Sequence, residues 1–369
     1  MKSRRAFLKR VSAGGFSGII ASRTTPVYAK NVRSKIKGIS LEQAQKVHNE
    51  CLIIDGHNDV PVETVARGKR LLQWHRLNTE YNTDIIRMRE GGYDSGVFIV
   101  ACSPKADMWI TIELLLRDIE THPDDLLLVK TSNDVIRARK EGKIAVIMGI
   151  EIIGYWAKEE INIVRLLYRL GVRWMHIIYV QGSKSRTGPC TPEERKAHLK
   201  EAKGLTPFGF EVLNEVNRLG MVPDVSHIND RAFYEVIEHT IRPPVMSHTA
   251  VFSLCNHFRC MTDDQIKALA EAKGVMGITF VPQFIDADPQ KATIDRVTEH
   301  ICYVADLVGI DHVGIGSDFD GIGSNVPVVP DPSKLVLLTK SLLEHGMNKE
   351  DIRKIWGGNF LRILQQNTG

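Results

Sequence analysis

Short apolar runs recur along the chain from about residue 40, each followed by a longer stretch with helical spacing. The runs cover 51–57, 96–102, 144–150, 174–180, 221–227, 244–248, 275–281 and 312–318. They are rich in Val, Ile and Met and apolar at consecutive positions, which is how parallel strands covered on both faces read. The segments between them are amphipathic. In Glu211–Leu219, for example, Val212, Leu213, Val216 and Leu219 fall on one face of a helix. Gly171, Gly220, Gly274 and Gly309 each stand between a helical segment and the strand after it. Glycine suits that place because the residue after a helix often takes left-handed backbone angles that a Cβ resists.

Alternating strands and helices predict an α/β protein, and eight strand candidates predict a (β/α)8 TIM-like barrel. A doubly wound open sheet explains the alternation equally well. It does not explain why so many of the runs stop at polar residues of metal-binding type. In a closed barrel all those strand ends meet at one mouth. No internal repeat or linker interrupts the pattern, so residues 30–369 are expected to form one catalytic domain. The longest departures from regularity are 60–95 and the polar stretch 181–207, where a loop beside an active site is expected.

The polar strand ends carry the candidate chemistry. His57 and Asp59 close the first run, and their spacing of two turns both side chains to the same side of a continuing strand. Glu151 directly follows Ala145–Ile150, where a buried carboxylate must be paired, hydrogen-bonded or on a metal. His227 and His248 end successive runs and each is preceded by a serine. Imidazole and carboxylate converging from several strands make a metal centre. Asp318 closes the last run and Asp320 lies two residues further on, and spacing does not decide between them. Trp74, Trp109, Trp156 and Trp174 are pocket or core candidates. The remaining histidines, His75, His122 and His257 among them, lack strand-end context and are expected at the surface or against helices.

Charge changes the picture at the N-terminus. The formal net charge of the whole chain is +4, but residues 1–29 hold six cations and no acid, leaving the rest slightly acidic. A nucleic-acid surface is therefore not implied. Ser3-Arg4-Arg5-Ala6-Phe7-Leu8-Lys9 resembles a twin-arginine export signal, and a Gly-rich apolar stretch leads to Val27-Tyr28-Ala29, a small-residue cleavage site. The expected location is the periplasm or the exterior. No stretch reaches the ~18 apolar residues of a membrane span. Six cysteines show no zinc-finger spacing and name no disulfide pair.

The motifs Asp55-Gly56-His57-Asn58-Asp59-Val60-Pro61, Gly149-Ile150-Glu151, Asp224-Val225-Ser226-His227, Ser247-His248-Thr249-Ala250 and Gly316-Ser317-Asp318-Phe319-Asp320-Gly321 occur in this order. Together with Leu205-Thr206-Pro207-Phe208-Gly209 they resemble the membrane (renal-type) dipeptidase family, from about residue 40 to 365. The resemblance implies an amidohydrolase-type barrel with two zinc ions, for which manganese or cobalt could substitute. His57 and Asp59 would hold one ion, His227 and His248 the other, and Glu151 both. A hydroxide shared by the metals would attack the peptide carbonyl. Asp318 would transfer the proton to the leaving amine, and Arg259 would pair the substrate's C-terminal carboxylate. Relatives are commonly homodimers.

Two positions depart from the family pattern. The histidine that polarises the scissile carbonyl in relatives falls on Tyr179, whose phenol can donate a hydrogen bond but carries no charge. His176, three residues earlier, is expected on the other side of the strand. The family's Arg-Asn pair reads Arg259-Cys260. The expected activity is hydrolysis of dipeptides, including those with a D-residue on the C-terminal side. Tyr179 motivates an alternative, the same attack on N-acyl amino acids, lactams or lactones.

Overall fold

The computed structural model describes residues 36, 38–69, 72, 74–77, 80–102, 105–151, 160–178, 188–323 and 325–369. Residues 1–29, where an export signal is expected, Trp156 and Tyr179 lie outside the described residues.

Nine strands are present among the described residues: β1 (Ile54–Asn58), β2 (Ser95–Ala101), β3 (Leu126–Leu128), β4 (Ile144–Ile150), β5 (Val172–His176), β6 (Val222–Asp224), β7 (Val245–Thr249), β8 (Val275–Ile278) and β9 (Val313–Ile315). Eight run parallel in the order β1-β2-β4-β5-β6-β7-β8-β9. The ends of this row meet. Asn58 bridges Phe319, Asp59 N–H donates to Phe319 O at 2.9 Å, and Asp318 N–H donates to His57 O at 3.1 Å. The result is the nearly closed parallel barrel that the alternation predicts. The ninth strand, β3, has no counterpart among the predicted runs. It occupies the Ile144–Val146 half of the β4 edge, whose Met148–Ile150 half pairs with β5.

Phe360 fills the barrel from the C-terminal helix Asn359–Thr368. Its ring lies 5.6 Å from Trp174 of β5 and fills the space that a Cβ on Gly56 of β1 or Gly314 of β9 would need. Ile54, Val97, Ile99, Ile147, Val222 and Val245 belong to the same buried cluster. Burying an aromatic ring and its neighbours closes the base of the barrel, so polar chemistry is confined to the other end, where the strands' C-termini lie.

The helix-to-strand glycines divide by cause. Gly171 and Gly220 adopt φ of 109° and 77°, and each ends a helix with left-handed angles. At the third junction the left-handed residue is Lys273, with φ 61°. Gly274 is needed there for space, because a Cβ would lie 2.5 Å from Pro244 O. Among the described residues no helix is long and apolar enough to cross a membrane. All six cysteines are free thiols. Trp74 and Trp174 are core residues, not pocket walls.

Candidate metal centre

His57, Asp59, Glu151, His227 and His248 come together at the mouth. His57 Nε2 lies 3.2 Å from Asp59 Oδ2 and 3.6 Å from Glu151 Oε2. The other Glu151 oxygen, Oε1, lies 2.7 Å from His227 Nε2, which in turn is 2.8 Å from His248 Nε2. One carboxylate thus faces two groups of donors, one oxygen toward each. These residues form two overlapping sets of a size that a metal ion can bridge, His57–Asp59–Glu151 and Glu151–His227–His248.

The donor atoms also lack other employment. Both nitrogens of His57 and Oδ1 of Asp59 are buried with no hydrogen-bond partner among the described residues. Buried polar atoms are normally satisfied, and a cation is what would satisfy lone pairs from imidazole and carboxylate together. The set fits the metal that the sequence implies.

The folding of the strand ends shows how the donors are aimed. Ser226, Ser247 and Ser317 each precede a mouth residue, and all three are buried. Ser247 Oγ lies 2.9 Å from His248 Nδ1 and 3.0 Å from Ser226 Oγ. This orients the ring and leaves Nε2 for the centre, as outer hydrogen bonds commonly do for metal-binding histidines. His227 and Asp318 have φ of 63° and 64°. Left-handed angles at such residues typically cost ~1–3 kcal/mol. Here they turn both side chains off the strand direction into the mouth.

Two buried aspartates brace these ends. Asp224 Oδ1 accepts from Ser226 N–H at 2.9 Å and Ser247 N–H at 3.2 Å. Asp224 Oδ2 accepts from Trp174 Nε1 at 2.8 Å and lies 2.9 Å from His176 Nε2. The His176 contact is close without being aligned as a hydrogen bond, since both ring nitrogens of His176 lack a well-formed one. Asp55 plays the matching part across the β1–β9 seam. Both open motifs in the sequence, but neither had a role assigned there, because the partners that make them braces come from neighbouring strands.

Asp318 and Asp320 separate clearly. Asp320 Oδ1 accepts from Asn82 N–H at 2.7 Å, and Oδ2 accepts from Thr83 N–H at 3.1 Å. Its oxygens are therefore engaged in holding a loop. Asp318 makes no such bonds among the described residues and faces Asp59. The two carboxylates approach so closely that a Cβ on Gly321 would collide with both. Burial pushes the Asp318 carboxyl up to about 8; Asp59 and Glu151 add to this, while His57 and Arg259 oppose it. Burial resists ionisation of Glu151 too, but His227 and His57 beside it hold that carboxyl well below the usual range.

The mouth opens into a cavity of about 440 Å³ lined by Asp59, Glu151, His227, His257, Arg259 and Asp318, among others. The Arg259 guanidinium lies 5.3 Å over the Phe284 ring, and its Nη2 is buried without a partner among the described residues. Thr249 Oγ1 donates to Arg259 O at 2.7 Å, and Arg259 N–H donates to His257 Nδ1 at 3.1 Å.

One expectation is corrected: His257 is not a surface or helix-packing residue but part of the cavity wall beside Arg259. His176, placed in the sequence only relative to Tyr179, which lies outside the described residues, is turned into the barrel, its ring 5.7 Å from His57 and 5.9 Å from His248. Alternation accounts for this direction. Trp174 points inward from β5, so His176, two residues on, must do the same. The Trp174–His176 pair at the end of an apolar run was the signal that could have shown it.

A family model for "Membrane dipeptidase (Peptidase family M19)" matches residues 41–368. Dipeptidase verJ of Clonostachys rogersoniana is 31% identical over 347 residues, covering 88% of this chain and 86% of that protein. Dipeptidase tcpJ of Claviceps purpurea is 32% identical over 260 residues, covering 70% of this chain and 60% of that protein, so the match spans less than two thirds of its length. Among solved structures, an amidohydrolase from Pseudomonas aeruginosa superposes with a TM-score of 0.70 at 25% identity, covering 88% of this chain and 99% of that one. With this match over nearly the whole barrel, the chain belongs to the membrane dipeptidase family, peptidase family M19.

Proposed function

We propose that the protein is an exported, dizinc dipeptidase that hydrolyses the single peptide bond of dipeptides, including those with a D-residue on the C-terminal side. The observation that carries this reading is the meeting of three features in one cavity: the five-residue donor set, the Asp318 carboxyl, and Arg259, whose Nη2 has no partner among the described residues. A dipeptide offers a scissile carbonyl and a free carboxylate a short distance apart, and the cavity offers a counterpart for each.

His57 and Asp59 would hold one ion, and His227 and His248 the other. Glu151 would help to hold both. Bound zinc supplies Lewis acidity that polarises a carbonyl and acidifies water. The protein's own residues do the rest. Arg259 pairs the substrate carboxylate through parallel hydrogen bonds, which sets the distance from that carboxylate to the mouth. Asp318 takes the proton from the attacking water and returns it to the departing amine, so the peptide bond breaks with no net proton change on the enzyme. Tyr179 is proposed to donate a hydrogen bond to the carbonyl oxygen as it gains negative charge. Residues 30–369 act as one catalytic domain, working as a homodimer after twin-arginine export and removal of residues 1–29.

The test is an assay of the mature, zinc-reconstituted protein against dipeptides ending in L- or D-residues, beside N-acyl amino acids, with and without chelator. Chelator-sensitive dipeptide cleavage supports the reading. Turnover of N-acyl amino acids with none of dipeptides replaces the substrate while leaving the site intact. The N-terminal mass of protein recovered outside the cytoplasm checks cleavage after Ala29.

A further inference from the structure

Away from the mouth, His75, Asp118 and His122 form a second cluster whose donor atoms are close enough to share an ion. Asp118 and His122 lie four residues apart at the end of the helix Met108–Thr121, which puts them on one face. His75 comes from the stretch between β1 and β2. His75 Nε2 lies 2.8 Å from Asp118 Oδ2, and His122 Nδ1 lies 3.2 Å from Asp118 Oδ1, with Asp118 O and Thr121 Oγ1 each 3.1 Å from the same nitrogen. The two imidazoles stack at 3.7 Å, tilted by 24°. Each carboxylate oxygen therefore faces a different histidine.

We propose that His75, Asp118 and His122 form an additional binding site for a divalent transition metal of the zinc, copper or nickel type, separate from the catalytic centre. Ligand atoms on a tetrahedral zinc, with bonds of about 2.0 Å, stand about 3.3 Å apart. The two carboxylate–imidazole distances are close to that spacing, and all three ligand atoms lie within 4.8 Å of one another. Two imidazoles and one carboxylate are the donor types that these ions select over magnesium or calcium. The carboxylate is also aimed from behind, because buried Trp74 donates from Nε1 to Asp118 Oδ2 at 2.6 Å. Outer hydrogen bonds of this kind orient metal ligands. The three groups are only partly covered, with side-chain exposures of 25% for His75, 13% for Asp118 and 40% for His122. Solvent can thus supply the remaining ligands.

Such an ion would steady a stretch of chain that runs on toward the mouth without altering the mouth itself. Ile85 N–H donates to Trp74 O at 2.7 Å. Further along the same stretch, Asn82 and Thr83 hold Asp320, and Asn58 Nδ2 donates to Thr83 Oγ1 at 3.0 Å. Joining His75 to the helix therefore fastens the stretch that braces the loop carrying Asp318. The expected consequence is stability rather than turnover.

The experiment measures zinc per chain and the thermal midpoint for untagged protein equilibrated with zinc, in the wild type, in His122→Asn and in the double variant His75→Asn/His122→Asn. Loss of one equivalent of zinc and of the zinc-dependent rise in midpoint, with dipeptide hydrolysis unchanged, is the expected result. Equal zinc content in wild type and variants overturns the proposal. So does an equal loss in His239→Asn, an unrelated half-exposed histidine. If the double variant does not fold, His122→Asn decides alone, because its side chain is the most exposed of the three.

Discussion

Asp55 and Ser317 are 262 residues apart in the chain and joined twice in the fold. Asp55 Oδ1 accepts from Ser317 N–H at 2.7 Å, and Oδ2 accepts from Ser317 Oγ at 2.5 Å. The same carboxylate takes Tyr93 Oη–H at 3.0 Å and His57 N–H at 3.3 Å. One buried side chain thus sews the seam between β1 and β9 and sets the positions of His57 and Asp318 on either side of it.

Replacing Asp55 by Ala should therefore destabilise the protein by about 3 kcal/mol or more, since several buried donors lose their acceptor at once. The urea midpoint measures this. A change within about 0.5 kcal/mol would mean that water readily replaces the carboxylate.

Asp318→Asn should retain the metal content of the wild type and lower turnover by ~10²-fold or more, the usual scale for losing a general acid–base group. Asp320→Asn should instead disturb the loop at Asn82 and Thr83, with its main effect on stability. Activity near the wild-type level in Asp318→Asn would remove this residue from the proposed proton transfer.

Arg259→Leu should raise KM strongly for dipeptides with a free carboxylate and little for their C-terminal amides. The unpartnered Nη2 is the reason. An equal loss on both substrates would assign Arg259 to holding the Thr249 and His257 segments together.

Gly321→Ala adds a methyl group where the Asp59 and Asp318 carboxylates nearly meet. Both carboxylates must move, so metal content measured by atomic emission and dipeptide turnover should fall together. Retention of both would show that the loop yields at no cost to the site.

Chelation should abolish hydrolysis, and zinc should restore it. It should also lower the thermal midpoint, because His57 and the Asp59 carboxylate then remain buried without a partner. A midpoint unchanged by chelator would mean that the site's stability does not depend on its ion.

The barrel was legible in the chain because its information is local. A buried parallel strand must be apolar at consecutive positions and a helix over it apolar on one face, so all eight barrel strands announced themselves. The strand-end residues His57, Asp59, Glu151, His227 and His248 were legible for a related reason, since polar groups interrupting buried runs are costly without a purpose. β3 was missed because it is only three residues long and pairs with half of a strand edge. Other matters were decided by distance in space. Asp318 was separated from Asp320 by backbone donors at Asn82 and Thr83, far away in sequence. Asp55 and Asp224 became braces because residues on neighbouring strands reach them. His257 joined the cavity, and His75 met Asp118 and His122, through packing between elements that no periodicity links. Sequence by itself determined which segments must be buried and which polar residues end them. Tertiary structure alone decided which polar groups meet, because hydrogen bonds and metal donors act over a few ångströms, whatever the length of chain between them.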